Sequence, residues 1–127
     1  MMKATKTSDA PSAAALYSQA MTYGNMLFSS GNLPLDPKTG NVVGDDVTAQ
    51  MERIMQNISA VLAANGIGFD RVIKATCFLV DMADFDAFNK VYTKYFSAET
   101  KPARSTVAVR ALPKGALCEV EFIAIVD

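Results

Sequence analysis

A guanidinium near the C-terminal end of the chain is the first group whose setting suggests chemistry. Arg104 follows Pro102 and Ala103 and leads into a stretch of small and β-branched residues. The planar fork of an arginine binds a carboxylate through two parallel hydrogen bonds, which fixes the ligand's orientation as well as its charge. A small organic acid is therefore a natural ligand. Taken alone, the residue type favours a plainer arrangement, an ion pair with an acidic neighbour on the surface.

A pair of carboxylates follows in the next strand-like stretch. Glu119 and Glu121 are two residues apart among apolar neighbours, a spacing that places both on one face of a strand. Partial burial would raise the pKa of such a carboxyl group toward neutrality and make it a usable general acid or base. The alternative is a solvated strand face, on which both carboxylates are ordinary surface groups.

Missing residue types narrow the chemistry. The chain contains no histidine, the commonest general base near neutral pH, which excludes histidine-dependent triads and most zinc sites. It also has no phosphate-binding loop, dinucleotide fingerprint or nucleophile elbow. Cys77 and Cys118 each lie within an apolar run, which predicts two buried free thiols rather than a disulfide or a metal pair. We therefore expect a site without metal or cofactor.

Composition predicts one soluble domain spanning residues 1–127. The chain is 50% hydrophobic, and its 12 basic residues nearly balance 13 acidic ones, so no overall field favours nucleic acid or a membrane. No apolar run approaches the ~20 residues that a membrane-spanning helix needs. The polar N-terminus, with Lys3, Thr5 and Lys6, lacks the apolar segment of a secretory signal, and we expect a cytoplasmic location.

The first half of the chain predicts a hairpin, a loop and a helix. Residues 17–31 mix small, β-branched and aromatic residues around a Gly-Asn turn, which indicates two short strands. Residues 33–44 read as a loop because proline and turn residues interrupt them. Apolar residues then recur every three or four positions, which is typical of a helix. Asp45 or Asp46 caps its start, and Asn65 with Gly66 ends it.

The second half predicts three strands and another helix. Residues 72–80 are apolar and β-branched, as in a strand covered on both faces in the middle of a sheet. Asp84 caps the second helix, and residues 104–110 and 117–126 form two closing strands joined by a turn around Pro113. The helix is expected to bury an aromatic stripe of Phe85, Phe88, Tyr92, Tyr95 and Phe96.

This order of elements predicts a mixed sheet with two helices packed on one face, an α/β (α+β) fold. Right-handed strand-helix-strand crossovers place both helices on the same side and leave the opposite face uncovered. An uncovered apolar face predicts a partner, most simply further copies of the same chain, with clefts between the copies. The alternative is a monomer whose N-terminal hairpin folds back over the open face.

Several separated motifs resemble the RidA (YjgF-like) family. The stretch from Pro102 to Ile125 resembles the family's signature, and Tyr17-Ser18-Gln19-Ala20 near the start is similar to another of its motifs. Further matches are Phe28-Ser29-Ser30-Gly31, Pro34-Leu35-Asp36-Pro37, Gly40, Asn57-Ile58 and Phe88-Asn89. These motifs span almost the whole chain in the family's order.

The resemblance implies a fold, an assembly and an activity. The implied fold is that of Bacillus-type chorismate mutase, assembled as a homotrimer with three clefts between subunits. The implied activity is that of a 2-iminobutanoate/2-iminopropanoate deaminase-type hydrolase, which converts 2-aminoacrylate-type enamines and imines to 2-keto acids and ammonia. Such a role limits damage by reactive metabolites. An imine is already electrophilic, so orientation, a placed water and a proton path suffice without a cofactor.

The resemblance also implies roles for individual residues. Arg104 would clamp the substrate carboxylate, and Glu119 would position and activate the attacking water. The remaining implied substrate-binding positions are Tyr17, Ser30, Gly31, Asn89 and Thr106, with Gly31 and Thr106 contributing backbone groups. For Tyr17 and Asn89 the alternative is a hydrogen bond that only stabilises an interface. Gly31 could simply form a turn.

Two positions depart from the family pattern, and neither departure removes a charged catalytic group. Thr106 stands where many relatives carry cysteine, which puts thiol-based chemistry in doubt, and Ala15-Leu16 stands where many have Gly-Pro.

One alternative function is that of a module that binds a small carboxylate for regulation without turning it over. Another is RNA cleavage or a chaperone-like activity. The lack of a basic stripe and of histidine argues against a nuclease.

Overall fold

Six strands form one mixed sheet in the order β1-β2-β3-β6-β4-β5 in a computed structural model that describes residues 1–127. Only β4 and β5 are parallel, and every other neighbouring pair is antiparallel. The strands are β1 (Met2–Thr5), β2 (Ala20–Tyr23), β3 (Met26–Ser29), β4 (Val72–Leu79), β5 (Ala103–Ala108) and β6 (Cys118–Ile125). The helices are α1 (Val47–Ala64) and α2 (Phe85–Tyr95).

Helix α1 begins and ends as the sequence predicts. The side chain of Asp46 caps it by accepting a hydrogen bond of 2.8 Å from the backbone N–H of Ala49. Asn65 is the C-cap, and Gly66 follows with a φ of +72°, a left-handed conformation that glycine adopts without steric cost. The predicted apolar stripe is buried against the sheet, at Val47, Met51, Ile54, Ile58, Val61 and Leu62.

Helix α2 begins where it was predicted but is capped differently. Asp84 occupies the N-cap position without making a capping hydrogen bond. A 3-10 turn of residues 82–84 runs directly into the helix, and Asp81 caps that turn by accepting a bond of 2.9 Å from the Ala83 N–H. The expected role of Asp84 is therefore wrong, because the preceding turn moves the cap upstream. Of the predicted stripe, Phe88, Tyr92 and Phe96 are buried, while Phe85 and Tyr95 pack at its margin.

The sheet is covered by helices on one side only. Side chains of β4 and β6 alternate between the buried core under the helices and the opposite side, which we call the open face. Strand β4 thus lies inside the sheet as predicted, although only one of its faces is covered within the chain. Cys77 and Cys118 point into the core as buried free thiols, which confirms that prediction.

The N-terminal region extends the sheet instead of shielding it. Strand β1, which the sequence did not reveal, pairs with β2, and the predicted hairpin β2–β3 joins β6. The expectation that the hairpin of a monomer folds back over the open face is therefore wrong, since the hairpin lies within the sheet. Apolar side chains on the open face by strand alternation are Met21, Met26, Phe28, Phe78, Val107, Ile123 and Ile125. Neither helix combines the length and apolar character needed to cross a membrane.

Candidate active site

Arg104 lies on the edge strand β5 and is held by helix α2. Its register partner on β4 is Ala75, a core residue, so the arginine points to the helix side of the sheet. The guanidinium Nη1 donates a hydrogen bond of 2.7 Å to Asn89 Oδ1. The guanidinium carbon also lies 4.6 Å from the centre of the Tyr92 ring and 5.7 Å from that of Phe85. Two aromatic rings and one amide thus orient the charge.

No carboxylate of the chain neutralises Arg104. The two salt bridges of the structure join Arg71 to Asp127 and Lys94 to Glu52. The surface ion pair that the residue type favours for Arg104 is therefore absent, and its charge is free for a ligand. Burial raises the pKa of Tyr92 to about 12, so the ring beneath the guanidinium stays neutral at physiological pH.

Glu119 lies on β6 and points to the open face. It is partly buried, while Glu121, two residues further along the same face, is exposed. Burial is the main cause that raises the pKa of Glu119, and the nearby charge of Glu121 raises it further. The prediction that Glu119 and Glu121 lie on the same face of a strand is confirmed. The environment of Glu119 favours a carboxyl group that exchanges protons nearer to neutral pH.

Gly31 provides the space that the Glu119 side chain occupies. A Cβ at position 31 would lie 2.4 Å from Glu119 Oε2 and 2.7 Å from its Cδ, closer than any real contact. The backbone of Gly31 is not among the left-handed positions of the chain, so a turn does not require glycine there. The absence of a side chain is needed instead for the close approach of the carboxylate.

Glu119 and Gly31 share one open cleft with two other predicted residues. The cleft has a volume of about 790 Å³, and Tyr17, Ser30 and Lys114 also line it. Tyr17 is 55% exposed and its hydroxyl makes no hydrogen bond within the chain. The hydroxyl of Ser30, by contrast, donates a bond of 2.6 Å to the backbone carbonyl of Ser18. Tyr17 is therefore available to a ligand or a partner, whereas the Ser30 hydroxyl supports the cleft wall.

Thr106 accompanies Arg104 on the helix side of β5. It lies two residues further along the strand and opposite Cys77 of β4. Its Oγ1 is buried and lacks a hydrogen-bond partner. Burial raises the pKa of the neighbouring Cys77 to about 11, so that thiol is not an active nucleophile near neutral pH.

The structure divides the predicted site residues into two groups. Asn89, Arg104 and Thr106 lie on the helix side at the sheet edge, and Tyr17, Ser30, Gly31 and Glu119 surround the cleft on the other side. Strand β4 separates β5 from β6, and the register offset between Arg104 and Glu119 implies a Cα separation of roughly 14 Å. One chain therefore does not bring Arg104 and Glu119 together on a single small ligand.

A buried asparagine fixes the loop at the cleft, and sequence reasoning gave it no role in the site. Asn57 is fully buried on α1, and its Nδ2 donates hydrogen bonds of 3.0 Å each to the backbone carbonyls of Leu33 and Leu35. Its Oδ1 accepts two bonds from Arg53. Both leucines line the cleft. The available signal was an amide within the apolar stripe of a helix.

The N-terminal wall of the cleft depends on Gln19. Its Nε2 donates to the backbone carbonyls of Ala10 at 3.2 Å and Pro11 at 2.9 Å. Its Oε1 accepts a bond of 2.8 Å from the N–H of Thr7. One glutamine therefore shapes the segment that leads to Tyr17. No three His, Cys, Asp or Glu side chains of the fold come together in a group that could hold a metal ion.

Comparisons with known proteins agree with this architecture. The family model described as Endoribonuclease L-PSP matches residues 7–126. The chain is 47% identical to the putative regulator AldR of Lactococcus lactis over 123 residues, covering 97% of each protein. It is 45% identical to Reactive Intermediate Deaminase A, chloroplastic, of Arabidopsis thaliana over 118 residues, covering 93% of this chain and 63% of that protein.

Among solved structures, E. coli TdcF with bound serine has the same fold. Its TM-score is 0.90 at 38% sequence identity, with 97% of this chain and 98% of that chain covered. The match over nearly the full length confirms the fold that the motifs implied. The chain belongs to the RidA (YjgF-like) family.

Proposed function

We propose that this protein hydrolyses reactive 2-aminoacrylate-type enamines and imines to 2-keto acids and ammonia. The observation that carries the proposal is the complementary state of two residues, Arg104 and Glu119. Arg104 is an oriented guanidinium without an acidic partner, and Glu119 is a partly buried carboxylate with a raised pKa. A carboxylate anchor and a proton acceptor are the two groups that hydrolysis of an imino acid needs.

Arg104 would bind the carboxylate of the imino acid. Asn89 occupies one N–H of Nη1, and the aromatic rings of Tyr92 and Phe85 lie near the guanidinium carbon. The other N–H groups remain for a bidentate contact with the ligand. In this arrangement the amide oxygen of Asn89 positions Arg104. Binding of the substrate carboxylate by Arg104 would thus fix the position of the imine carbon in the site.

Glu119 would act on the water. It accepts a proton from water as the new C–O bond forms at the imine carbon and the C=N electron pair moves to nitrogen. The nitrogen takes that proton from Glu119 to give a carbinolamine. The hydroxyl proton then passes through Glu119 to the nitrogen, the C–N bond breaks, and ammonia leaves as the C=O bond of the keto acid forms. A carboxyl group with a raised pKa suits both proton transfers, because the ideal pKa of such a catalyst lies near the working pH.

The complete site would form between two copies of the chain. The opposite-face positions of Arg104 and Glu119 support this, since a ligand on the helix side of one copy would meet the cleft of another. The apolar open face also favours self-association. We propose a homotrimer with three such clefts, as the family resemblance implies, and no cofactor.

The relatives support two readings of the site. The name of the Arabidopsis thaliana deaminase supports turnover of reactive intermediates, and the serine in E. coli TdcF supports an amino-acid-like carboxylate as ligand. The name of the Lactococcus lactis relative, a putative regulator, favours a second candidate, a module that binds such a carboxylate without turnover. The nuclease activity in the family model's name has less support here, because the net charge is −1 and histidine is absent.

Release of pyruvate tests the proposal. A pyridoxal-phosphate dehydratase generates 2-aminoacrylate from serine, and purified wild-type protein should accelerate the appearance of pyruvate. Arg104→Ala should abolish the acceleration, and Arg104→Lys should retain a small part of it, because lysine keeps the charge but loses the fork. No acceleration by the wild type across several amino-acid-derived imines would overturn the proposal.

Glu119→Ala separates catalysis from binding. It should abolish pyruvate acceleration and leave the affinity for a stable keto acid, measured by calorimetry, within a few-fold of the wild type. Equal acceleration by Glu119→Ala and the wild type would contradict the assigned role. Tight keto-acid binding without any turnover by the wild type would instead establish the regulatory candidate.

A further inference from the structure

Two charged residues lie in the apolar open face without a role in the proposed hydrolysis. Lys74 of β4 and Glu121 of β6 both point to this face, as the registers of their strands require. Their neighbours on the face include Phe28, Phe78 and Ile123, which are apolar. The third charged group of this surface, Glu119, belongs to the cleft. Lys74 and Glu121 therefore need a separate explanation.

Within one chain these two charges do not neutralise each other. Lys74 Nζ donates a hydrogen bond of 3.1 Å to Ser105 Oγ, which directs the ammonium toward β5. Glu121 lies on the other side, opposite Thr76, and makes no hydrogen bond or salt bridge. It is exposed to solvent in the isolated chain. Its carboxylate is stable there only because water solvates it.

Covering the open face changes this balance. Removing water from an unpaired carboxylate or ammonium costs several kcal/mol, so a partner surface must supply the opposite charge. A second copy of the chain does so, because each copy presents one cation and one anion on the same face. We propose that Lys74 of one copy pairs with Glu121 of another when the open faces associate, and that this pair fixes how the copies are oriented.

The pair acts on the register of assembly, and a like-charge contact in the covered face opposes assembly altogether. Apolar contacts alone tolerate sliding, whereas two charges that must meet permit one register. The inference goes beyond the proposed function, because imine hydrolysis requires adjacent copies but no contact between these two side chains. Its failure would leave the pyruvate assay of the wild type unchanged, so the two proposals fail separately.

Charge reversal tests the pairing. Light scattering at micromolar concentration should show an oligomer for the wild type. Lys74→Glu and Glu121→Lys should each dissociate to folded monomers, with circular dichroism confirming the fold, and the double exchange should restore the wild-type mass. Reversing the exposed pair of Glu52 and Lys94 on the helix side is the matched control and should leave the mass unchanged.

Mixing distinguishes pairing between copies from pairing within one. Lys74→Glu carries two negative charges on the face and Glu121→Lys carries two positive ones, so a mixture can form opposite-charge contacts that neither variant forms alone. In a ring of three, one of the three interfaces still joins two copies of the same variant, so we expect partial recovery of mass on mixing, at least to a heterodimer. Single reversals that keep the wild-type mass, a double exchange that stays monomeric, or rescue by the double exchange without rescue on mixing would each overturn the proposal. A monomeric wild type would overturn it as well.

Discussion

Arg104 and Glu119 lie on opposite faces of the same sheet, with β4 between their strands. Each has its own surroundings, an aromatic and amide cradle for the arginine and a glycine-lined cleft for the glutamate. The separation is a consequence of strand order, because β6 inserts between β3 and β4 while β5 stays at the edge. A small imino acid can meet both groups only where two copies adjoin.

Gly31→Ala should reduce turnover without unfolding the protein. The new Cβ would lie 2.4 Å from Glu119 Oε2 and force the carboxylate to move. Because misplacement of a catalytic group by about 1 Å costs up to about 100-fold in rate, we expect kcat to fall at least about tenfold. The pyruvate assay measures this. Gly68→Ala is the control, since its Cβ meets only the flexible Asp70 side chain at 3.3 Å. Wild-type kcat in Gly31→Ala would contradict the assignment.

Tyr92→Leu should weaken substrate binding through Arg104. The ring centre lies 4.6 Å from the guanidinium carbon, and a cation–π contact of about 1–2 kcal/mol corresponds to a roughly tenfold rise in KM. Tyr92→Phe keeps the ring and should keep KM, while kcat should change little in either variant. Steady-state kinetics below the melting temperature test this. An equal effect of both substitutions would assign the role to the hydroxyl instead.

Glu119→Gln should stabilise the fold at neutral pH. The folded state raises the pKa of Glu119, so it binds the proton more tightly than the unfolded chain. Wild-type stability therefore falls as pH rises from the ordinary glutamate pKa through the raised one, and the glutamine variant escapes this loss. We expect a higher melting temperature for Glu119→Gln at pH 7, with the difference vanishing near pH 3. A gain that persists unchanged at low pH would show that ionisation is not its cause.

Asn57→Ala should destabilise the loop that borders the cleft. The substitution leaves the carbonyls of Leu33 and Leu35 without their buried donor, which costs about 2–4 kcal/mol in the free energy of unfolding. Urea denaturation measures the loss. The neighbouring exposed residue provides the control, and Gln56→Ala should change the stability by less than about 0.5 kcal/mol. Similar midpoints for the two variants would refute the structural role of Asn57.

Local sequence patterns predicted most helices and strands, whereas the order of the strands in the sheet determines where the site residues lie relative to one another. The spacing of apolar residues revealed α1 and its capping residues, because a helix is determined by contacts three and four positions apart. Strand β1 left no such signal, since its pairing with β2 uses backbone groups and mostly exposed side chains. The relation between Arg104 and Glu119 depends on β4 lying between their strands, which no local pattern encodes.

Mixing two inactive variants tests the shared site most directly. Arg104→Ala and Glu119→Ala should each fail to accelerate pyruvate release, because every cleft lacks one group. After joint unfolding and refolding, clefts that combine Arg104 of one copy with Glu119 of another reappear, at about a quarter of the total for random assembly. We predict recovery of roughly that share of wild-type activity. If activity does not recover although mass measurement shows mixed oligomers, Arg104 and Glu119 must act within the same chain, which would contradict the account.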